Sequence, residues 1–302
     1  MLQAEHTIEK QLPPSLLASL LKLMRPKQWT KNAFVFGALF FAQRLFDLGA
    51  VASVLQTFVA FSLISSSVYV LNDLVDVEKD RLHPKKRFRP LASGAVSRKA
   101  GTLLGITLLL VALGLAWSVG LPVLAIVASY FVLNIAYSFG LKHVAMLDLF
   151  IIALGFVLRV LSGAYAIPVE PSPWLLLCTL LLALFLGICK RRSEFIVLQD
   201  EATSHRKNLG EYSEKLLDQL IGIVAAVTIM AYSLYTLDSP VGRLMIYTIP
   251  FVIYAMFRYL FLVYRRDEGG EPAEILLGDR PFITSCLLWG LSAFLVSYVL
   301  PH

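Results

Sequence analysis

The stretch NDLVDVEKDRLHPKKRFRP, residues 72–90, sets four acids beside six lysines and arginines. It follows directly on an uncharged apolar run, residues 50–71. At about 1.5 Å per helical residue, that run is long enough to cross a hydrocarbon core of about 30 Å. Asn72, Asp76 and Asp80 recur every four residues, and Asp73 lies three before Asp76, so on a helix their oxygens share one side. Carboxylates that close repel one another unless a cation sits among them. Hard oxygen ligands in this pattern suit Mg²⁺, which completes its shell with water and substrate phosphate. The basic run HPKKRFRP (83–90) offers Lys86, Arg87 and Arg89 to the outer oxygens of such a phosphate. The competing reading is a loop whose acids and bases merely neutralise each other at a membrane surface.

Working outward, 57% of the 302 residues are hydrophobic and 16% are charged. A soluble domain carries about 25% charged residues, so this is membrane composition. Hydropathy predicts an all-α polytopic membrane protein with nine transmembrane helices near 30–46, 50–71, 101–119, 121–139, 145–168, 173–189, 216–237, 243–264 and 281–301. Gly120-Leu121-Pro122 divides the third span from the fourth. Five lysines and arginines fall in the N-terminal arm, eight in 72–100, one in 140–144, six in 190–215 and three in 265–280. The opposite loops hold Arg44 and Arg243. The excess of positive charge on one side predicts a cytoplasmic N-terminus and an external C-terminus in a cell (inner) membrane. The net charge of +6 then follows from topology and from anionic lipid or phosphorylated substrate, with no nucleic acid needed. Residues 1–24 read as an amphipathic arm on the membrane surface, without the layout of a cleaved signal peptide. The three cysteines show neither a disulfide framework nor zinc spacing.

Ionisable groups inside a span are costly, so each is a candidate for function. Arg159 lies three turns beyond Asp148 on the same face, with Asn134 and Tyr137 near the same end. It meets either an anionic group in a cytoplasm-facing polar cavity or a structural partner, an acid or a carbonyl. Arg258 is near enough to a span end to snorkel. Around Trp29, RPKQWTKN (25–32) carries Arg25, Lys27, Lys31 and Asn32, which serve either as interfacial anchors or, with Lys31 and Asn32 at the cytoplasmic mouth, as phosphate contacts. A second charged loop, beginning KRRSE (190–194), follows the sixth span much as 72–90 follows the second.

These residues together resemble a known family. NDLVDVEKD at the end of a span, the nine spans, and YSFGLKHVAMLDLFIIALGFVLRVLSGA (137–164) resemble the UbiA-type membrane prenyltransferase superfamily over nearly the whole chain. The resemblance implies one membrane domain over 1–302, with cytoplasmic loops 72–100, 190–215 and 265–280 above the active site, and a diphosphate donor held through magnesium by two acidic motifs. The second motif departs from that pattern: Lys190, Arg191, Arg192 and Glu194 stand where most members have a further pair of aspartates. With RPKQWTKN, HPKKRFRP and GGEPAEILLGDRP (269–281), this departure resembles the decaprenyl-phosphate phosphoribosyltransferase branch, which makes decaprenylphosphoryl-5-phosphoribose for cell-wall arabinan. Resemblance to that branch implies 5-phosphoribosyl 1-diphosphate as donor and a polyprenyl phosphate as acceptor.

The expected site is then Asp73, Asp76 and Asp80, aided by Asn72, around Mg²⁺, with Lys190 acting at the reacting groups. Substrate contacts are expected from Lys27, Lys31, Lys86, Arg87, Arg89, Tyr137, Lys142, Arg159, Arg191, Glu194 and Arg258. Expected partners are the two substrates and membrane lipid, and association into a homo-oligomer is left open. Two rivals stand beside this reading: an aromatic prenyltransferase using an isoprenyl diphosphate, and a lipid-phosphate transporter. Transporters place substrate sites at mid-membrane on broken helices, whereas the charge here gathers in loops.

Overall fold

A computed structural model describes residues 15–84, 86–197, 210–238, 243–265 and 278–300, and these are built of helices. A short helix α1 (Leu16–Met24) is capped by the Ser15 hydroxyl. A 3-10 run, Pro26–Phe36, leads into the short α2 (Gly37–Phe41). Then come α3 (Leu48–Val75), α4 (Val77–Leu82), α5 (Arg98–Val119), α6 (Leu121–Phe139) and α7 (Leu147–Ala166). The second half holds α8 (Pro173–Val197), α9 (Glu214–Leu237), α10 (Ile249–Arg265, entered through a 3-10 turn) and α11 (Arg280–Tyr298).

Among the described residues eight helices are long and apolar enough to cross a membrane. They correspond to the second through ninth expected spans. The first, 30–46, is not the continuous α-helix that hydropathy predicted. Its chain runs against α7 at backbone contact: a Cβ on Gly163 would lie 1.8 Å from the Val35 carbonyl oxygen. The narrower 3-10 coil suits so close a crossing, and buried Asn32 ties it down by donating to Ser62 Oγ at 3.0 Å.

Burial separates the roles of the helices. More than half of the apolar window of α7, 56%, is buried, against 17% for α5, so α7 lies inside the bundle and α5 faces outward. Within lipid, close packing and interhelical hydrogen bonds hold helices together better than exclusion of water does. The α3–α5 pair shows how: small residues let the two backbones approach, and Ser67 Oγ donates to the Gly105 carbonyl at 2.8 Å. One apolar cluster joins α7 to α8, α9, α10 and α11; another joins the 3-10 run, α3, α5 and α6. A third, of Leu23, Val70, Val77, Leu91, Val96 and Leu108, pins α1 and the loop after α4 onto the end of α3. That cluster sets the position of the charged groups.

Candidate active site

At the end of α3 the helix bends at Asp76 but keeps its ladder. The Asp76 N–H donates to the Asn72 carbonyl at 2.9 Å, and the Asp80 N–H to the Asp76 carbonyl at 2.8 Å. Seven residues is almost two helical turns, so Asp73 and Asp80 come to the same side. Both are buried, at 2% and 4% exposure. Arg89 Nη1 lies between them, 3.1 Å from Asp73 Oδ1 and 2.7 Å from Asp80 Oδ2. Arg89 is held there because buried Pro90, Leu91 and Val96 anchor its loop. From the opposite side Arg25 Nη2 donates to Asp73 Oδ1 at 2.5 Å. Arg25 adopts the left-handed conformation at φ 55°, ψ 58° at the end of α1. Its guanidinium lies 5.1 Å from the centre of the Tyr69 ring.

Asp76 faces elsewhere. Its Oδ2 is 4.0 Å from Lys142 Nζ, and its Oδ1 is 4.0 Å from the exposed Lys79 Nζ. Asn72 accepts a hydrogen bond from Ser138 Oγ on α6 at 2.5 Å. Of the expected acid group the structure brings together Asp73 and Asp80, which share one arginine, while Asp76 meets Lys142 and Asn72 meets Ser138. Lys86 and Arg87 are exposed on a short 3-10 turn, and Lys27 and Lys31 are exposed on the run that follows Arg25. Tyr137 is half-buried one residue before Ser138.

The 190–194 group lies in the last turns of α8 and is largely engaged. Buried Arg191 pairs with Asp148, which is fully buried at 0% exposure, and with Glu194 at 2.7 Å. Arg192 pairs with Asp218 at 2.6 Å and Glu214 at 3.2 Å, tying α8 to α9. The Tyr212 hydroxyl accepts from the Met146 N–H at 2.7 Å and donates to Asp148 Oδ1 at 3.1 Å. Burial raises the Tyr212 phenol above its ordinary range, and the Asp148 carboxylate beside it adds to the rise. The phenol therefore stays a proton donor to Asp148 at neutral pH. Lys190 is half-buried beside these pairs.

Arg159 takes the structural alternative. Its Nε donates to Asn32 Oδ1 at 2.7 Å, Nη1 to the Gly155 carbonyl at 2.7 Å, and Nη2 to the Tyr130 hydroxyl at 3.0 Å. The rings of Tyr130, Phe156 and Phe61 surround it at 4.8, 5.3 and 5.4 Å, distances at which a cation is attracted to a π-face. Arg258 grips Asp279 with two bonds, 3.0 and 2.8 Å, and Asp279 caps α11 through the Phe282 N–H at 2.9 Å. Of the long motif 269–281, residues 269–277 lie outside the described residues.

Spacing gives no sign of Lys22, and it places Arg25 only among the bases around Trp29. Lys22 and Arg25, with Asp73, Phe88, Arg89 and Pro90, line an open cleft of about 290 Å³. A signal for Arg25 existed in Pro26, which ends the preceding helix and places Arg25 at its terminus.

Among the described residues no three His, Cys, Asp or Glu side chains converge closely enough to hold an ion unaided. Asp73 and Asp80 nevertheless have a cationic nitrogen between them, so their oxygens are arranged around a positive charge. Hard carboxylate oxygens are the donors Mg²⁺ takes, and here those of Asp73 and Asp80 are turned to Arg25 and Arg89.

Comparison with known proteins places the chain among relatives. Residues 32–277 match the UbiA prenyltransferase family. A decaprenyl-phosphate phosphoribosyltransferase of Corynebacterium glutamicum is 32% identical over 98% of this chain and 92% of its own length. One from Mycolicibacterium smegmatis is 35% identical over 92% of each, and one from Mycobacterium tuberculosis is 33% identical over 92% of this chain and 94% of its own. Among solved structures, a UbiA homolog from Archaeoglobus fulgidus bound to GPP and Mg²⁺ superposes with a TM-score of 0.71 over 93% of this chain and all of that one, at 22% identity. Eight apolar helices and these similarities describe an integral membrane transferase, and the chain belongs to the UbiA prenyltransferase family.

Proposed function

We propose that this enzyme transfers the 5-phosphoribosyl group of 5-phosphoribosyl 1-diphosphate to a polyprenyl phosphate and releases diphosphate. The observation that carries this reading is the match over at least 92% of the chain to phosphoribosyltransferases that act on decaprenyl phosphate by name. The mixed cluster supports it. Aspartates interleaved with Arg25, Arg89 and Lys142 suit a donor richer in phosphate than an isoprenyl diphosphate.

Asp73, Asp76 and Asp80, with Asn72, would hold Mg²⁺ on the donor's diphosphate. Bound there, the ion would supply positive charge against the electrons that diphosphate takes up on leaving. Arg89 and Lys142, beside these aspartates, would bind further phosphate oxygens of the donor, with Lys86 and Arg87 at the rim. Lys190, beside the Arg191–Glu194 pair, orients the acceptor's phosphate. That phosphate has a second pKa of about 6, is largely dianionic at neutral pH, and attacks C1 without a general base. The bond from C1 to diphosphate breaks as the new C1–O bond forms. Attack opposite the leaving group converts an α donor into a β-linked product. Catalysis thus rests on positioning and electrostatics.

The same reading places the cluster at the cytoplasmic face of the inner membrane, with nine crossings and an external C-terminus, because lysine and arginine gather on one side. The run 26–41 would supply the first crossing: eleven 3-10 residues and five α residues rise about 30 Å in all. The polar donor arrives from water, and the isoprenoid tail stays among the helices.

The experiment is product analysis by mass spectrometry. Purified protein receives Mg²⁺, decaprenyl phosphate and labelled phosphoribosyl diphosphate, or instead a labelled prenyl diphosphate with an aromatic acceptor. Decaprenylphosphoryl-5-phosphoribose and equimolar diphosphate are expected from the first mixture. Product from the second mixture alone would overturn the reading.

A further inference from the structure

The cleft beside Asp73 has a wall that the mechanism above leaves unused. Of its lining residues Lys22, Arg25, Asp73, Phe88, Arg89 and Pro90, three are cations and one is an anion. Counting Asp80, which shares Arg89 from the side, the group still has one positive charge in excess. Lys22 lies in the last turn of α1 with its side chain exposed, and it makes no ion pair among the described residues. Its helix is fixed in place: neighbouring Leu23, 1% exposed, packs with Val70, Val77 and Leu91. Arg25 then turns in the left-handed conformation, so one short helix offers two cations to the same opening. Arg25 commits Nη2 to Asp73 and has further N–H donors on its five-donor fork.

We propose that Lys22 and Arg25 form an anion subsite for a phosphomonoester at the far end of the donor, distinct from the oxygens that hold its diphosphate. The inference rests on the phosphoribosyl reading and names how that donor is recognised. A phosphoribosyl diphosphate carries two anionic groups on opposite ends of one sugar. The carboxylates can meet the first group only through a cation, and they repel the second. The second group therefore needs N–H donors with charge to spare, next to the carboxylates but outside them. Lys22 and Arg25 supply this, and the 62%-exposed Phe88 gives an apolar wall for the ribose between. An isoprenyl diphosphate has no distal phosphate, so the subsite selects between donor classes. It also gives α1 a role in substrate recognition beyond surface anchoring.

The test uses the full-length protein with Lys22→Ala and Lys22→Arg. The readouts are kcat, the donor KM, and competitive inhibition by ribose 5-phosphate and by inorganic diphosphate. Because a charge-assisted hydrogen bond is lost, Lys22→Ala should raise the donor KM about tenfold with kcat largely kept. It should weaken ribose 5-phosphate inhibition by a similar factor while leaving diphosphate inhibition within about twofold. Lys22→Arg should restore both values. Unfolding temperatures equal to wild type show that neither change acts through folding. Unaltered ribose 5-phosphate inhibition in Lys22→Ala overturns the subsite, and so does equal weakening of both inhibitors. If wild type transfers no phosphoribosyl group, the reading of the reaction fails. Thermal-shift binding of ribose 5-phosphate still tests the subsite, which falls if wild type and Lys22→Ala bind it alike.

Discussion

Replacing Gly163 with alanine tests how the first charged segment is seated. The added Cβ would stand 1.8 Å from the Val35 carbonyl oxygen and 2.8 Å from its carbon. Such contacts do not occur below 3.0 Å, and both obstructing atoms are backbone, so no rotamer change relieves the clash. The 3-10 run must retreat from α7. Asn32, one 3-10 turn before Val35, goes with it and pulls its Oδ1 from Arg159 Nε, now at 2.7 Å, past the reach of a hydrogen bond. Overpacking costs about 1–3 kcal/mol, and a hydrogen bond to a buried charge about 1.5–3 kcal/mol. A loss of about 3 kcal/mol or more is expected on these grounds, read as a lower unfolding temperature of the detergent-purified protein. Turnover should fall as well, because the same run carries Lys27 and Lys31 and follows Arg25. Gly101→Ala is the control: its new Cβ meets the end of the flexible Leu91 side chain at 2.9 Å, which can swing aside. Wild-type stability and turnover in Gly163→Ala would refute the placement of residues 26–36 against α7.

Asp76→Asn and Asp80→Asn should each abolish Mg²⁺-dependent transfer with the protein still membrane-integrated, and near-normal turnover in both would remove the metal assignment. Arg191→Leu should cost about 3–5 kcal/mol by leaving Asp148 buried and unpaired, as measured by chemical unfolding. Lys190→Ala should instead keep stability and raise the KM for a phosphorylated substrate, and unchanged kinetics would make that lysine merely topological. Asp47 caps α3 by accepting the Ala50 N–H at 3.0 Å, and that bond, with Arg44 beside it, holds its carboxyl below the ordinary 3.8. A lowered folded pKa means its stabilisation is complete above that ordinary value and fades as pH falls through the lowered one. Asp47→Asn should therefore flatten the acid limb of the unfolding profile below pH ~4, and an unaltered limb would show that the cap does not couple to pH.

Hydropathy and charge, properties of single segments, sufficed for the all-helical membrane class, eight of the expected crossings and the acid motif at the end of α3. Helical spacing also brought Asp73 and Asp80 to one side, because i, i+7 neighbours follow from the pitch alone, whereas Asp76 turns towards Lys142. Spacing reports which residues share a face and is silent about what that face meets. Arg25 and Asp73 are 48 residues apart in sequence, Arg191 and Asp148 are 43 apart, and Arg159 and Asn32 are 127 apart. Each pairing depends on which helices become neighbours and how far each is turned. So the sequence determined the fold class and the chemical inventory of the site. Tertiary packing alone decided that Arg191 secures Asp148, that Arg159 rests among neutral groups, and that Lys22 opens onto the same cleft as Asp73. It also decided that residues 26–36 coil as a 3-10 run, since that conformation answers to a glycine on another helix.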